Sequence, residues 1–228
     1  VFSLDLNYDK KKGVLSSRTQ KGQAKEVFTH DSRNRLTGVQ QDSLQRKYSY
    51  DPYGRMEDNS RIGLYHYTNP SNRYALDSIY LNAGGKKFYE SRPRQTASYN
   101  IDRKAVEVHQ EGSGRANFVY NGNMQRLHAF YGNEAEDWGE RNYRKHYSTL
   151  FPAEITVNQS TGESKTVLYL GGDAYTAPLA LINGEEHYLH RDHLGSILMI
   201  SDDNANAVEE RHFTPWGEVD VFKKNGIV

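Results

Sequence analysis

The chain has 228 residues, enough for one β domain or two small ones, and its 29 Lys plus Arg balance 29 Asp plus Glu. A formal net charge of zero builds no field to draw in nucleic acid or an anionic membrane, and the lack of cysteine excludes disulfides and thiolate chemistry. Hydrophobic residues are only 36% of the chain, against about 45–50% in ordinary globular domains. The 17 tyrosines and 2 tryptophans supply large amphipathic surfaces instead, which suits a wide, thin sheet with a wetted face better than a spherical core. No run reaches the roughly 18 apolar residues of a membrane helix, and no signal-peptide core is present, so membrane insertion is not expected. The opening Val1-Phe2-Ser3-Leu4, without methionine, is expected of a piece excised from something longer.

A short unit returns from the first residues onward: an aromatic, then Asp or Asn, a turn, and a basic residue. Tyr8-Asp9 with Gly13 and His30-Asp31 with Asn34-Arg35-Leu36 come first, then the clearest copy, Tyr50-Asp51-Pro52-Tyr53-Gly54-Arg55-Met56. Tyr67-Thr68 with Asn72-Arg73-Tyr74, Tyr99-Asn100 with Arg103-Lys104-Ala105 and Tyr120-Asn121 with Gln125-Arg126-Leu127 follow. Most copies begin about 20 residues apart, room for two strands of roughly 5–6 residues and two turns. Tyr ends a strand, Asp or Asn accepts backbone N–H groups in the turn, Gly or Asn takes the positive φ, and Arg opens the return strand. One hairpin alone is marginal, so consecutive hairpins must pair edge to edge.

Between these copies, Ser78 to Leu81 and Lys86 to Glu90 bracket Asn82-Ala83-Gly84-Gly85 and read as a further hairpin. Asn133 to Tyr143 has room for one turn of helix, weakened by Gly139. Three hairpins close the chain. Ala153 to Val157 and Ser164 to Leu170 flank Asn158-Gln159-Ser160-Thr161-Gly162; Leu179 to Ile182 and Glu185 to Leu189 flank Asn183-Gly184. Ser196 to Ile200 and Ala207 to Phe213 flank Asp202-Asp203-Asn204-Ala205-Asn206. The fold class is all-β: antiparallel hairpin repeats in a curved, spiralling sheet.

The Tyr-Asp-Pro-Tyr-Gly-Arg unit resembles the YD repeat of Rhs proteins. The stretch Tyr169 to Glu218, with Leu170-Gly171-Gly172, His190-Arg191-Asp192-His193-Leu194-Gly195-Ser196 and Phe213-Thr214-Pro215-Trp216-Gly217-Glu218, is similar to the start of the Rhs-associated core. The likeness covers most of the chain and is weakest over 75–93 and 132–147. It implies residues 1–130 as hairpin repeats, 131–150 as a less regular connecting segment, and 151–228 as the start of the core, all in one continuous sheet. In the family such sheets spiral into hollow shells: in bacterial toxins the shell holds a toxic C-terminal polypeptide, and in teneurins a similar barrel stands outside the cell. The self-cleavage region of the core follows the matched segment, so neither self-cleavage nor a toxin domain is assigned here.

Several residue groups invite chemistry and have plainer accounts. His187, His190, Asp192 and His193 have metal-ligand character, but strand alternation puts His187 and His193 on one face and His190 and Asp192 on the other. Glu134, Glu136, Asp137 and Glu140 surround Trp138, yet proximity on a glycine-containing loop is not the opposed pair that a glycosidase needs. Gly84-Gly85-Lys86-Lys87 lacks the spacing of a phosphate loop, Ser196 lacks a nucleophile-elbow setting, and Asn158-Gln159-Ser160 reads as a loop tip. Tyr8, Tyr50, Tyr67, Tyr99 and Tyr120 are read as structural cement of the sheet. No catalytic, cofactor-binding or metal-ligating residue is assigned, and no cofactor.

The leading expectation is a non-enzymatic segment of a secreted or cell-surface bacterial shell. Its partners would be the remainder of its parent chain and an enclosed polypeptide, and as a fragment it would also self-associate edge to edge. The alternative is a cell-surface recognition module binding a glycan or a partner protein; a glycoside-acting enzyme comes third.

Overall fold

The structure, a computed structural model, describes residues 2–70, 72–223 and 226–227. Its strand pairings are antiparallel throughout, and they form two large sheets, neither closed into a barrel. The chain falls into two compact units, the first ending at Arg92 and the second beginning at Pro93.

The first unit holds β1 (Leu4–Tyr8), β2 (Leu15–Gln20), β3 (Glu26–His30), β4 (Leu36–Gln41), β5 (Leu44–Tyr50), β6 (Met56–Asn59), β7 (Gly63–His66) and β8 (Ser78–Leu81), in that spatial order. Phe28 pairs with Val39, and Val39 with Arg46 beside Tyr48, so alternate residues of three strands share one face. There Phe28, Val39 and Tyr48 are buried, with Leu15, Leu36, Tyr50 and Met56 packed around them. Arg18 and Glu26, also buried, are paired across β2 and β3 at 2.5 Å.

The hairpin expected across residues 82–85 is not formed. Ser78–Leu81 is a strand, but Ala83–Glu90 is a helix, α1. Asn82 caps it, its Oδ1 accepting the Gly85 N–H at 2.8 Å, so the Asn-Ala-Gly-Gly run starts a helix where it looked like a turn. The glycines serve close approach: a Cβ on Gly85 would stand 2.0 Å from Ile62 O, and one on Gly84 2.7 Å from Arg61 O. With Lys86–Glu90 helical, β8 pairs back onto β7 alone.

The second unit holds β9 (Gln95–Tyr99), β10 (Ala105–Gln110), β11 (Gly114–Tyr120), β12 (Arg126–Tyr131), β13 (Tyr143–Tyr147), β14 (Ala153–Asn158) and β15 (Ser164–Leu170). It continues through β16 (Leu179–Ile182), β17 (Glu185–Arg191), β18 (Ile197–Ser201), β19 (Ala207–Phe213), β20 (Val219–Lys223) and β21 (Gly226–Ile227), again in sequence order across the sheet. The three closing hairpins stand where their turns place them.

The single continuous sheet expected from the repeats is divided. Its interruption lies between β8 and β9, where α1 and the Pro93 turn stand and no ladder joins the two sheets among the described residues. Residues 131–150, expected to be a less regular connecting segment, include β13, which pairs with β12 on one side and β14 on the other. Their one helical turn is a 3-10 turn at Trp138–Glu140, with the Gly139 N–H donating to Asp137 Oδ1 at 2.7 Å.

Candidate functional site

One corner geometry recurs at the chain reversals. At the clearest copy, the Asp51 N–H donates to Arg55 O and the Gly54 N–H to Asp51 O, both at 3.0 Å. Asp51 Oδ1 accepts the N–H groups of Tyr53 at 2.9 Å and Arg55 at 3.0 Å. The same set forms around Asp31, Asn100, Asn121, Asp192 and Asp202. At Thr214 a hydroxyl takes the acceptor's place for the Glu218 N–H. The fourth corner residue is left-handed each time, from φ +58 at Met124 to +88 at Gly54. Asp9 and Asn158 make wider versions that close on Val14 and Glu163. The copy read at Tyr67-Thr68 departs from the pattern: its acceptor is Asp77 Oδ2, from the far side of the loop, serving Thr68 and Asn69.

In the first sheet, side chains lace the corners at Asp31 and Asp51 to the chain that follows them. Arg35 pairs with its own Asp31 through Nε at 2.7 Å, lies 4.6 Å over the Tyr50 ring, and donates from Nη1 to Asp51 O at 3.4 Å. Arg55 repeats this with Asp51 at 2.6 Å, the Tyr67 ring at 4.4 Å, and the carbonyl of Arg73. The tyrosines answer in the other direction. Tyr50 donates its hydroxyl to Leu36 O, and Tyr120 donates to Ala105 O, each at 2.8 Å. Backbone N–H and side-chain donors from Arg35 hold the Asp31 carboxyl below the usual range; at Asp51, desolvation acts upward but the Arg55 donors outweigh it. Burial pushes the Tyr50 hydroxyl up. In the second unit Arg191 is the staple: it donates to Gly195 O (2.7 Å), Ala174 O (3.1 Å) and Ala177 O (3.3 Å), joining the corner at Asp192 to the 171–178 loop.

The residues singled out for chemistry have the following neighbours. His187 pairs with Ala180 and His190 with Met199, on opposite faces; Asp192 is a corner acceptor, and His193 lies in that corner beyond the strand. His190 Nε2 meets Ser201 Oγ at 2.8 Å. Glu134 is bound to His109 at 2.8 Å, and Asp137 caps the 3-10 turn. Ser196 donates its N–H to Asp192 Oδ1. Tyr99 differs from Tyr50 and Tyr120: it stands exposed on the edge strand β9, all of whose residues are exposed.

The two edges of the second sheet carry different chemistry. Because strands alternate in direction, reversals after β9, β11, β13, β15, β17 and β19 share one edge. Their tips expose Ile101 (97%), Leu150 (90%), Tyr175 (81%) and Leu194 (77%), with Met124, Phe151 and Trp216 also exposed. On the opposite edge the tips are Glu111-Gly112-Ser113, Gln159-Ser160-Thr161, Asn183-Gly184 and Asp203-Asn204, with Trp138 exposed in the longer loop after β12. Behind Tyr175 a cavity of about 370 Å³ is lined by Tyr120, Tyr147, Tyr169, Arg126 and Glu154. Burial, with Glu154 beside it, pushes the Tyr169 hydroxyl up to about 12.

Sheets that meander strictly in sequence order, turned by amide- and carboxylate-held corners and laced by Arg and Tyr, define a repeat protein built of hairpins added side by side. The chain belongs to the teneurin YD-shell family, whose model matches residues 1–223. That family is a structural shell domain. Among solved structures, it is similar to the Tc holotoxin pore of Photorhabdus luminescens, at 16% identity and a TM-score of 0.64, over 96% of this chain and 13% of that one. It is also similar to a TcdB2–TccC3 complex without its hypervariable C-terminal region, at 14% identity and a TM-score of 0.52, over 96% of this chain and 15% of that one. The chain thus spans about a seventh of those structures' length, and the likeness is one of fold. No curated protein matches the sequence.

Proposed function

We propose that this chain is a wall segment of a larger shell, acting without catalysis to enclose a polypeptide in a secreted or cell-surface bacterial protein. The observation that carries the reading is the lacing of corner to corner in the first sheet, Arg35 to Tyr50 and Asp51, Arg55 to Tyr67, which ties a hairpin to the one that follows it. A wall so built keeps backbone groups paired within itself and separates two compartments. Membership of a shell family supports it, and the TccC3 component in the similar structures supports an enclosed partner. The test is a graft: this segment replaces the corresponding wall segment of a Tc toxin shell. Protection of the enclosed polypeptide from protease is the expected result. A shell that assembles and leaves that polypeptide open to cleavage would refute the reading.

The row of exposed apolar tips favours a second reading, in which this edge meets a partner protein at the cell surface.

A further inference from the structure

Three basic side chains meet on one face of the second sheet with no acid among them. The register sets His128 opposite His146 and Phe130 opposite Arg144 across β12 and β13, so all four share that face. The imidazole rings lie 4.7 Å apart at 88°. The Arg144 guanidinium carbon is 5.5 Å from the centre of the Phe130 ring, which Trp138 meets from its loop at 5.3 Å. His128 Nδ1 and Arg144 Nε are buried and have no hydrogen-bond partner. On the same face β14 contributes Ile155 and Val157, and β11 contributes Val119 and the buried Asn117, which is already bonded to Glu107 of β10 at 2.9 Å and to Arg141 at 3.0 Å. Lys145 and Glu154, paired with each other at 2.5 Å, face the other way.

We propose that this cluster is a binding site for an oxyanion, the carboxylate or phosphate group of a ligand, held by Arg144 with His128 and His146 beside it. A guanidinium takes such a group through parallel N–H donors, and each imidazole adds a donor when protonated. Protonating either imidazole without an anion is unfavourable here. Burial pushes the pKa of both imidazoles down, Arg144 adds to this at both, and His128 adds further at His146. A bound anion offsets that repulsion, so anion binding and imidazole protonation favour one another. The site does not depend on the shell reading, because it needs only the β12–β13 register.

Inorganic phosphate and acetate, titrated separately into the whole chain, provide the test, read by the NMR signals of His128 and His146 through a pH series. The expected result is saturable perturbation centred on these two residues, with both imidazole pKa values moving up. A response to phosphate alone assigns a phosphate-bearing ligand, and a response to acetate assigns a carboxylate. Arg144→Gln should weaken binding by about tenfold or more, and His146→Gln by less, with backbone signals outside β12 and β13 unchanged. Histidine titrations indifferent to both anions overturn the proposal, as does a response in Arg144→Gln equal to that of the parent chain.

Discussion

The corners of the first sheet and those at Asn100 and Asn121 in the second trace the same path with different chemistry. Around Asp31 and Asp51 the acceptor is a carboxylate paired with the arginine four residues on. Around Asn100 and Asn121 it is an amide followed by Lys104 or Gln125, yet the closing bonds match, 3.0 Å at each. The path therefore comes from one acceptor oxygen and one left-handed residue. The charge does something else: it orients the arginine that reaches the next corner. Asn121 bonds Gln125 with its own amide, and no guanidinium follows from that corner position.

Four experiments sharpen this contrast. Phe28→Ala should have the largest effect, because Phe28 belongs to the buried cluster of the first sheet; about 3 kcal/mol should be lost in urea unfolding. Asp51→Ala comes next. It removes the corner acceptor and unpairs Arg55, so its melting temperature should fall further than that of Asn121→Ala, which loses the acceptor alone. A smaller fall in Asp51→Ala than in Asn121→Ala would make the lacing energetically idle.

Acid should separate the two kinds of corner. The carboxyls of Asp31 and Asp51 have lower pKa values folded than the roughly 3.9 of an unfolded aspartate. Their stabilisation is therefore complete above about pH 4 and is lost as pH falls through the folded values. Asp51→Asn should keep its corner and show a shallower decline of stability below about pH 4, measured by chemical unfolding in a pH series. The smallest effect concerns the left-handed residue. Met124 sits at φ +58 with a side chain that disfavours it, so Met124→Gly should raise stability by about 1 kcal/mol, whereas Gly54→Ala, at φ +88, should lower it by a similar amount.

Much of this was legible in the sequence because corners are local. Asp51, Gly54 and Arg55 are near neighbours, and their residue types state the turn, the positive φ and the ion pair together. The Asn183-Gly184 hairpin is visible for the same reason. Elsewhere a local pattern has two solutions. Asn82-Ala83-Gly84-Gly85 suits a turn or a capped helix, and the choice lay in how closely Ile62 and Arg61 approach the glycines. Tyr67-Thr68 looks like a corner, but its acceptor, Asp77, comes from nine residues on. The Arg144 cluster is not legible locally, because His128 and His146 meet only through strand register. The alternations His128-Ala129-Phe130 and Arg144-Lys145-His146 could have shown it, once the two strands were known to be partners.

Within each sheet, every strand between the two end strands lies against the strand made just before it and the one made just after. Such a chain need not wait for its far end: a hairpin can be added as soon as it emerges, with the arginine of the finished corner already in place to set the next. Growth from one terminus, during synthesis or passage through a secretion channel, is then as natural to this molecule as collapse is to a globule.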